Sequence, residues 1–555
     1  NFKATSSHIA AGDTLLTLND GNATTLDWNK LHVDDLDSLA ADPTSDRILT
    51  LMENNSNINF GTSYSTTGTR GRIHTDDYEA DMTTDGNSAT TTKVYLKGYR
   101  FQNNDTSYAG TTATDAWGGR SIIGNKVQKN KLTLTGGSAT LNARGGMVEN
   151  TERDSGGNYK TNGDATKNTL VLNSGAQTAS AYGAEVKTKA GSATKNIVEM
   201  NDGTVHGNLY GAALTDAAST GNADANEMTI NGGTVSGTVY GSHNAGAGDA
   251  KGNTITIKGG SLHGIYGGFA AGTGVTTGNT VNLGDGEHSL VAGTTINGTI
   301  YGGNKADDAE NTLNVNTNAT AGNIGNFQNL KFNVNSSALN PANPMLTLAS
   351  ATNNLDWSKL TVDATKFNST ISTYEAYNLK LMQNAAGIDF NKNSVNTYTA
   401  NGGVKGVTSG NFEFSIDTLG SGVHTTEVRA AGYQYKNHTG AAYTTVDGSH
   451  SEAWAGRSAV GNKVENNKLS VTGGTINTAA YGGLVINNKP GATTGDAENN
   501  KIVVNGTANV ADAYGAQVRT KDGNATENTA EITGGTVTNV YGAALTAAGA
   551  TGKIE

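Results

Sequence analysis

The stretch Asn226-Glu-Met-Thr-Ile-Asn-Gly-Gly-Thr-Val-Ser-Gly-Thr-Val-Tyr-Gly241 holds one whole unit of a pattern that runs along much of the chain. It opens as Asn, any residue, apolar, any residue, apolar. Met228 and Ile230 alternate with polar neighbours, as in a strand with one buried face. Gly232-Gly233 marks a turn, Val235 adds a further apolar position, and Tyr240-Gly241 closes the unit.

The same opening recurs at Asn130, Asn168, Asn196, Asn253, Asn279, Asn311, Asn467, Asn500 and Asn528. The closing tyrosine recurs at Tyr182, Tyr210, Tyr266, Tyr301, Tyr481, Tyr514 and Tyr541. The step from Asn to Tyr is the same in the units Asn168 to Tyr182, Asn196 to Tyr210, Asn226 to Tyr240, Asn467 to Tyr481 and Asn500 to Tyr514. It is shorter by a single position from Asn253 to Tyr266 and from Asn528 to Tyr541. Between Asn279 and Tyr301 it is much longer, which predicts an inserted loop. Polar connectors such as Thr188-Lys-Ala-Gly-Ser-Ala-Thr-Lys-Asn196 separate the units.

From Asn168 to Asn311 the opening asparagines follow one another at nearly even spacing. Units of this length with two or three short strands cannot bury their apolar positions alone, but stacked units can. The expected fold class is therefore all-β, a right-handed parallel β-helix with coils of about 26–33 residues. Equivalent residues then form rows, an amide ladder of asparagines and an aromatic ladder of tyrosines. The glycine beside each tyrosine is expected to take positive φ and make a sharp corner.

A larger repeat overlies the first. Leu26-Asp-Trp-Asn-Lys-Leu-His-Val-Asp34 matches Leu355-Asp-Trp-Ser-Lys-Leu-Thr-Val-Asp363. Trp117-Gly-Gly-Arg-Ser121 matches Trp454-Ala-Gly-Arg-Ser458 at nearly the same offset. This predicts two tandem modules. Residues 1–91 form an irregular front part and 92–329 the coils of the first; 330–423 and 424–555 are the corresponding parts of the second. The front parts (about 11–91 and 341–423) are read as irregular coils or a β-rich side lobe.

Net charge is -11 and the pI about 5.4, which argues against a nucleic-acid binder and against docking to anionic lipid. Zero cysteines exclude a disulfide framework and thiolate chemistry. No apolar run nears the roughly 18 residues of a membrane helix, so no direct membrane insertion is expected. Asn1 is not an initiator Met and Glu555 falls within a pattern, so an interior segment of a longer protein is expected.

The repeated Asn-x-apolar-x-apolar, Gly-Gly-Thr-Val and Val-Tyr-Gly-Gly elements resemble the passenger domains of large autotransporter (type V secreted) adhesins of Gram-negative bacteria. The resemblance covers the coil arrays. It implies a β-helical stalk on the cell surface, held in the outer membrane through a part not in this chain. It also implies attachment, aggregation or biofilm roles, with host or bacterial cell-surface glycans or proteins as partners. Two other functions are weighed beside it. One is a self-assembling extracellular filament or surface-layer component, associating side to side, or end to end through open strand edges. The other is a β-helix polysaccharide-degrading enzyme. A non-enzymatic role is expected, because no charged cluster converges on one set of coils.

Candidate sites are few. A glycosidase needs two carboxylates, and Asp285 with Glu287, Asp307 with Asp308, and Asp76 with Asp77 are the pairs on offer, each in a turn. His206, His243 and His263 fall in successive coils. Asp- and Asn-rich turns leave structural calcium open as the only cofactor, although the Gly-Gly-x-Gly-x-Asp repeat of calcium-bound β-rolls is absent. Trp117 with Arg120 and Trp454 with Arg457 are the ligand-binding candidates, as a Trp–Arg pair that stacks on a sugar. The competing reading places each Trp in the tyrosine row, packed as a cap. Trp28 and Trp357 are expected in the core. The stretches 60–91, 149–163, 284–296 and 391–425 are the expected protrusions.

Overall fold

In the computed structural model, the described residues are all but 4–8, 11, 20, 35, 37–41, 66–72, 151–161, 306–307, 353–354, 368–370, 391–403, 421, 437–442 and 490. Their helical segments are four short 3₁₀ turns. None is long and apolar enough to cross a membrane. The fold is a parallel β-helix with antiparallel lobes, and the chain divides into two units. One is 1–282 with 290–313 and 324–327; the other is 283–289, 314–323 and 328–555.

In the first unit, the strands opened by the asparagines stack in parallel. Lys131–Leu134, Thr169–Leu172, Ile197–Met200, Glu227–Ile230 and Thr254–Ile257 pair residue for residue. The alternation does what its period demands. Leu132, Leu134, Leu170, Leu172, Val198, Met200, Met228, Ile230, Ile255 and Ile257 all point inward and are buried. Each such side chain stabilises the stack by about 1.5–3 kcal/mol.

A second sheet runs from Ala113–Ser121 through Ser138–Val148, Gln177–Val186, Thr234–Tyr240 and Ser261–Tyr266 to Thr295–Tyr301. A third, of very short strands, joins Val127–Gln128, Ala165–Thr166, Ala193–Thr194 and Ala223–Asp224. The second unit repeats the arrangement. Lys468–Val471, Lys501–Val504 and Thr529–Ile532 form its first sheet, and Thr475–Val485, Asn509–Val518 and Thr536–Leu545 belong to its second.

The asparagine ladder is built at the corner between the short sheet and the first sheet. Asn168 Nδ2 donates to Asn196 Oδ1 at 3.0 Å, Asn196 to Asn226 at 3.0 Å, Asn226 to Asn253 at 3.0 Å and Asn253 to Asn279 at 2.9 Å. Each acceptor oxygen also takes the backbone N–H of the preceding ladder residue. Asn467, Asn500 and Asn528 repeat this in the second unit.

The residue just before each ladder Asn is the one with positive φ: Lys167 at 56°, Lys195 at 57°, Ala225 at 56°, Gly252 at 63° and Glu527 at 56°. One left-handed residue turns the chain while its side chain points out to solvent.

The glycines beside the tyrosines are not the corner. Gly183, Gly211, Gly241 and Gly267 are not among the positive-φ residues. They are small because the coils touch there. A Cβ on Gly211 would stand 2.2 Å from Gly241 O, and one on Gly241 2.2 Å from Gly267 O. The expected cause, conformational freedom, is replaced by lack of space.

The front parts are antiparallel lobes. In the first, Arg47–Asn59, Thr90–Arg100, Tyr78–Thr84 and Ile73–His74 pair antiparallel. Its core holds Trp28, Leu49, Leu51, Ile58, Tyr78, Val94 and Leu96. In the second, Tyr377–Asp389, His424–Gln434, Phe412–Thr418 and Lys405–Ser409 do the same. Strand Thr90–Arg100 crosses residue 91, and His424–Gln434 lies beyond 423, so lobe strands extend to Arg100 and Gln434. Parallel pairing of Leu330–Asn333 with Leu360–Asp363 likewise lies beyond 330. Trp28 and Trp357 are buried in matching 3₁₀ turns capped by Asp27 and Asp356.

Candidate functional site

Both Trp–Arg pairs sit where a lobe meets its first coil. Trp117 is in register with Arg144 and, one coil on, Tyr182; Trp454 is in register with Tyr481 and then Tyr514. Each Trp thus heads an aromatic row. Their exposures are 7% and 4%, so a sugar has no ring face to stack on. Arg120 lies 4.9 Å from the Trp117 centroid and 4.5 Å from that of Tyr99, and is ion-paired to Glu149. Arg457 lies 4.4 Å from Trp454 and 4.8 Å from Tyr433, with Glu452 at 3.8 Å. The cations fill the space between lobe and coil rather than a ligand site.

Beside each pair lies a buried carboxylate that sequence reasoning missed. Glu79, on a lobe strand, accepts from Ser121 Oγ at 2.7 Å, Ile122 N–H at 2.6 Å and Asn125 Nδ2 at 2.8 Å. Glu413, at the matching place in the second lobe, accepts from Ser458 Oγ at 2.8 Å, Ala459 N–H at 2.5 Å and Asn462 Nδ2 at 2.7 Å. Exposure is 3% and 0%. Burial pushes the Glu413 carboxyl above its ordinary range, and the three donors and Lys489 oppose that rise. These glutamates fasten each antiparallel lobe to the end of its solenoid. The signal for them was the duplication itself, since acid, Ser and Asn all recur at matched positions.

The tyrosine row is half-buried. Rings 182, 210, 240, 266 and 301 stack with centroids 4.7, 5.1, 5.6 and 4.7 Å apart. Their faces cover one another, leaving edges to solvent, so the row braces the coils by about 0.5–1.5 kcal/mol per pair. Arg144 takes the tyrosine position in the coil before Tyr182. It is 4% exposed and held by Asp115 at 2.7 Å and by Glu185.

The three coil histidines do not converge. His243 opposes Ala213 and Phe269 and stacks on Phe269 at 4.9 Å, while His206 and His263 are exposed in other rows. Burial lowers the pKa of His243. Among the described residues, no three His, Cys, Asp or Glu side chains are grouped to hold a metal ion.

Of the carboxylate pairs, Asp285 caps its own turn, accepting from Glu287 N–H at 2.9 Å and His288 N–H at 3.0 Å. Asp308 is 6% exposed and bound to Thr276. Asp77 accepts from Arg100 and Asn103. Asp307 lies outside the described residues, as do His8, His438, most of 149–163 and 391–403. Within 284–296, residues 287–289 and 291–293 are exposed while Thr295 and Ile296 begin strand Thr295–Tyr301, and 60–91 contributes strand Tyr78–Thr84 to the first lobe.

Grooves fall on both lobes, and a smaller one of about 190 Å³, which includes Asp285, Asn316, Asn333, Asp363 and Lys366, lies beside the parallel strands Asn329–Asn333 and Leu360–Asp363. The first lobe carries a groove of about 410 Å³ that includes Asp46, Arg47, Asp81, Tyr95 and Lys97. The second carries one of about 500 Å³ beside the His424–Asp389 pair, whose Nδ1 and Oδ2 are 3.4 Å apart. No family model, curated protein or solved structure matches the chain.

Proposed function

We propose that this chain is a non-enzymatic attachment protein of a bacterial cell surface, or the β-helical stalk of one, with its lobes as the ligand-facing parts. The observation that carries the reading is the division of labour within each module. The coil array spends its side chains on itself, on amide ladder, stacked tyrosines and apolar rows. The grooves of about 410 and 500 Å³ lie on the lobes that the buried glutamates hold in place. The motif resemblance to autotransporter passengers supports display outside a Gram-negative cell. The engaged state of Asp77, Asp285 and Asp308 favours binding over hydrolysis.

The test is binding of the purified chain to bacterial and host cell surfaces with sugars as competitors. Saturable binding that one sugar class blocks is the expected result. Absence of binding to every surface, or release of reducing ends from a polysaccharide, overturns it.

A further inference from the structure

The groove of the first lobe differs from the matching face of the second in the charges it carries. Strand register sets Arg47, Lys97 and Asp81 side by side in one row across three strands, and Tyr95 beside Thr83 in the next row. Tyr95 is the floor, 4% exposed. The Arg47 guanidinium lies over its ring at 4.0 Å, with Lys97 Nζ at 6.0 Å. Among the described residues, the side chains of Arg47 and Lys97 enter no ion pair and no hydrogen bond. Asp46 and Asp85 stand exposed on the rim. Stacking orients the Arg47 fork without using its N–H groups, which stay available to an anion.

The second lobe is an internal control. Its strands align with those of the first through the buried glutamates, 79 with 413, and through Met52 with Met382. On that alignment Lys97 corresponds to Ala431, Asp81 to Ser415, Arg47 to Tyr377 and Asp46 to Ala376. In the second lobe Arg429 and Lys380 are paired with Glu427 at 2.6 and 3.2 Å, and Lys405 spends its ammonium on the backbone carbonyls of Trp357, Ser358 and Leu360. The same sheet therefore forms without the charges of the first groove, so folding does not call for them.

We infer that the first-lobe groove binds a carboxylate-bearing saccharide, an inference that rests on the reading of the chain as an attachment protein. Arg47 takes the carboxylate through paired N–H groups and Lys97 adds charge. The rim carboxylates of Asp46 and Asp85 accept hydroxyl groups. Those carboxylates also select the class: a bare inorganic anion would meet like charges and bring no donors to satisfy them. A sugar acid brings both. The volume suits one or two sugar rings, being within the range of about 300–1,000 Å³ usual for small-ligand sites.

The experiment is calorimetric titration of the whole chain with trigalacturonate and sialyllactose, against neutral maltotriose and lactose and against free malate. At least one acidic sugar is expected to bind, about ten-fold or more tighter than its neutral counterpart and than malate. Arg47→Met keeps the stack on Tyr95 but removes the fork, and should weaken that binding about ten- to hundred-fold. Lys97→Ala with Asp81→Ser installs the second lobe's own residues, so the variant is expected to fold, and it should lose the preference for the acid.

Failure of both acidic sugars to bind, equal binding of neutral and acidic sugars, malate matching the sugar, or an unchanged Arg47→Met variant would overturn the proposal. Cell binding by the Lys97→Ala, Asp81→Ser variant separates the two readings. If it persists at full strength, the chain is an attachment protein that does not use this groove. If the unaltered chain binds no cell surface, the wider reading fails.

Discussion

Asn226 uses its whole amide. Its Nδ2 donates to Asn253 Oδ1 and to Ala193 O, and its Oδ1 accepts both the N–H and the Nδ2 of Asn196, all with no solvent exposure. Truncation removes the acceptor of the Asn196 N–H and of one Asn196 Nδ2 hydrogen, and takes one donor each from Asn253 Oδ1 and Ala193 O, where water does not reach. Asn226→Ala should cost about 2–5 kcal/mol, read as a lowered denaturant midpoint with the slope unchanged. At Glu413 the sign of the pH effect follows from burial. The folded carboxyl holds its proton above the ordinary 4.5 of the unfolded chain. Its contribution to stability is therefore complete below the unfolded value and is lost as pH rises through the raised folded value. The melting temperature of the unaltered chain should fall, relative to that of Glu413→Gln, as pH is raised from 4.5 through the raised folded value. A difference between the two that stays flat over that range, or grows with pH in the other direction, would exclude this account.

In the strands and corners, the two kinds of glycine make opposite demands. Gly211 has ordinary φ but no room, so Gly211→Ala drives a Cβ against Gly241 O and should cost about 1–3 kcal/mol. Gly252 has φ 63° and nothing within 4 Å of a built Cβ. Its counterparts before the ladder are Asn466 and Asn499, both left-handed already. Gly252→Asn should be neutral or stabilising by up to about 1 kcal/mol; urea melts of the two variants side by side check both signs. The positions of these elements were legible in the sequence because an alternating strand has a period and a ladder Asn has a fixed place in it. The reason for Tyr-Gly was not, since φ and steric room leave the same letter in the chain. The lobes were legible only as one of two readings, a β-rich side lobe set beside irregular coils, and their antiparallel pairing was not. Most of their strands pair through short hairpins, but those hairpins do not recur at a fixed period along the chain, and only the structure carries the lobe strands through to Arg100 and Gln434. The Trp–Arg pairs were legible as a place rather than a role. Trp117 and Trp454 stand at the head of the tyrosine rows, and their burial points to packing.

At the scale of the whole molecule, the duplicated module separates what the fold requires from what it carries. The buried glutamate with its Ser and Asn donors, the Trp–Arg stack and the capped 3₁₀ turn recur in both copies, although Arg120 pairs with Glu149 and Arg457 with Glu452. The groove charges do not recur. A chain read once along its length could not draw that line, because Glu79 looks like any other acid in a polar stretch until its twin is seen with the same three donors. The stacked architecture also dictates how damage spreads. Each coil touches only its neighbours, so stability is a sum of coil terms and nearest-neighbour terms rather than one global quantity. Loss of the Asn226 rung should then open the coils beside it and leave distant ones closed. In hydrogen exchange of Asn226→Ala, amides of Ile197–Met200, Glu227–Ile230 and Thr254–Ile257 should lose protection while those of Lys501–Val504 and Asn509–Val518 keep theirs. Uniform loss of protection across both sets would mean that the chain unfolds as a single cooperative body, and the nearest-neighbour account of the ladder would have to be abandoned.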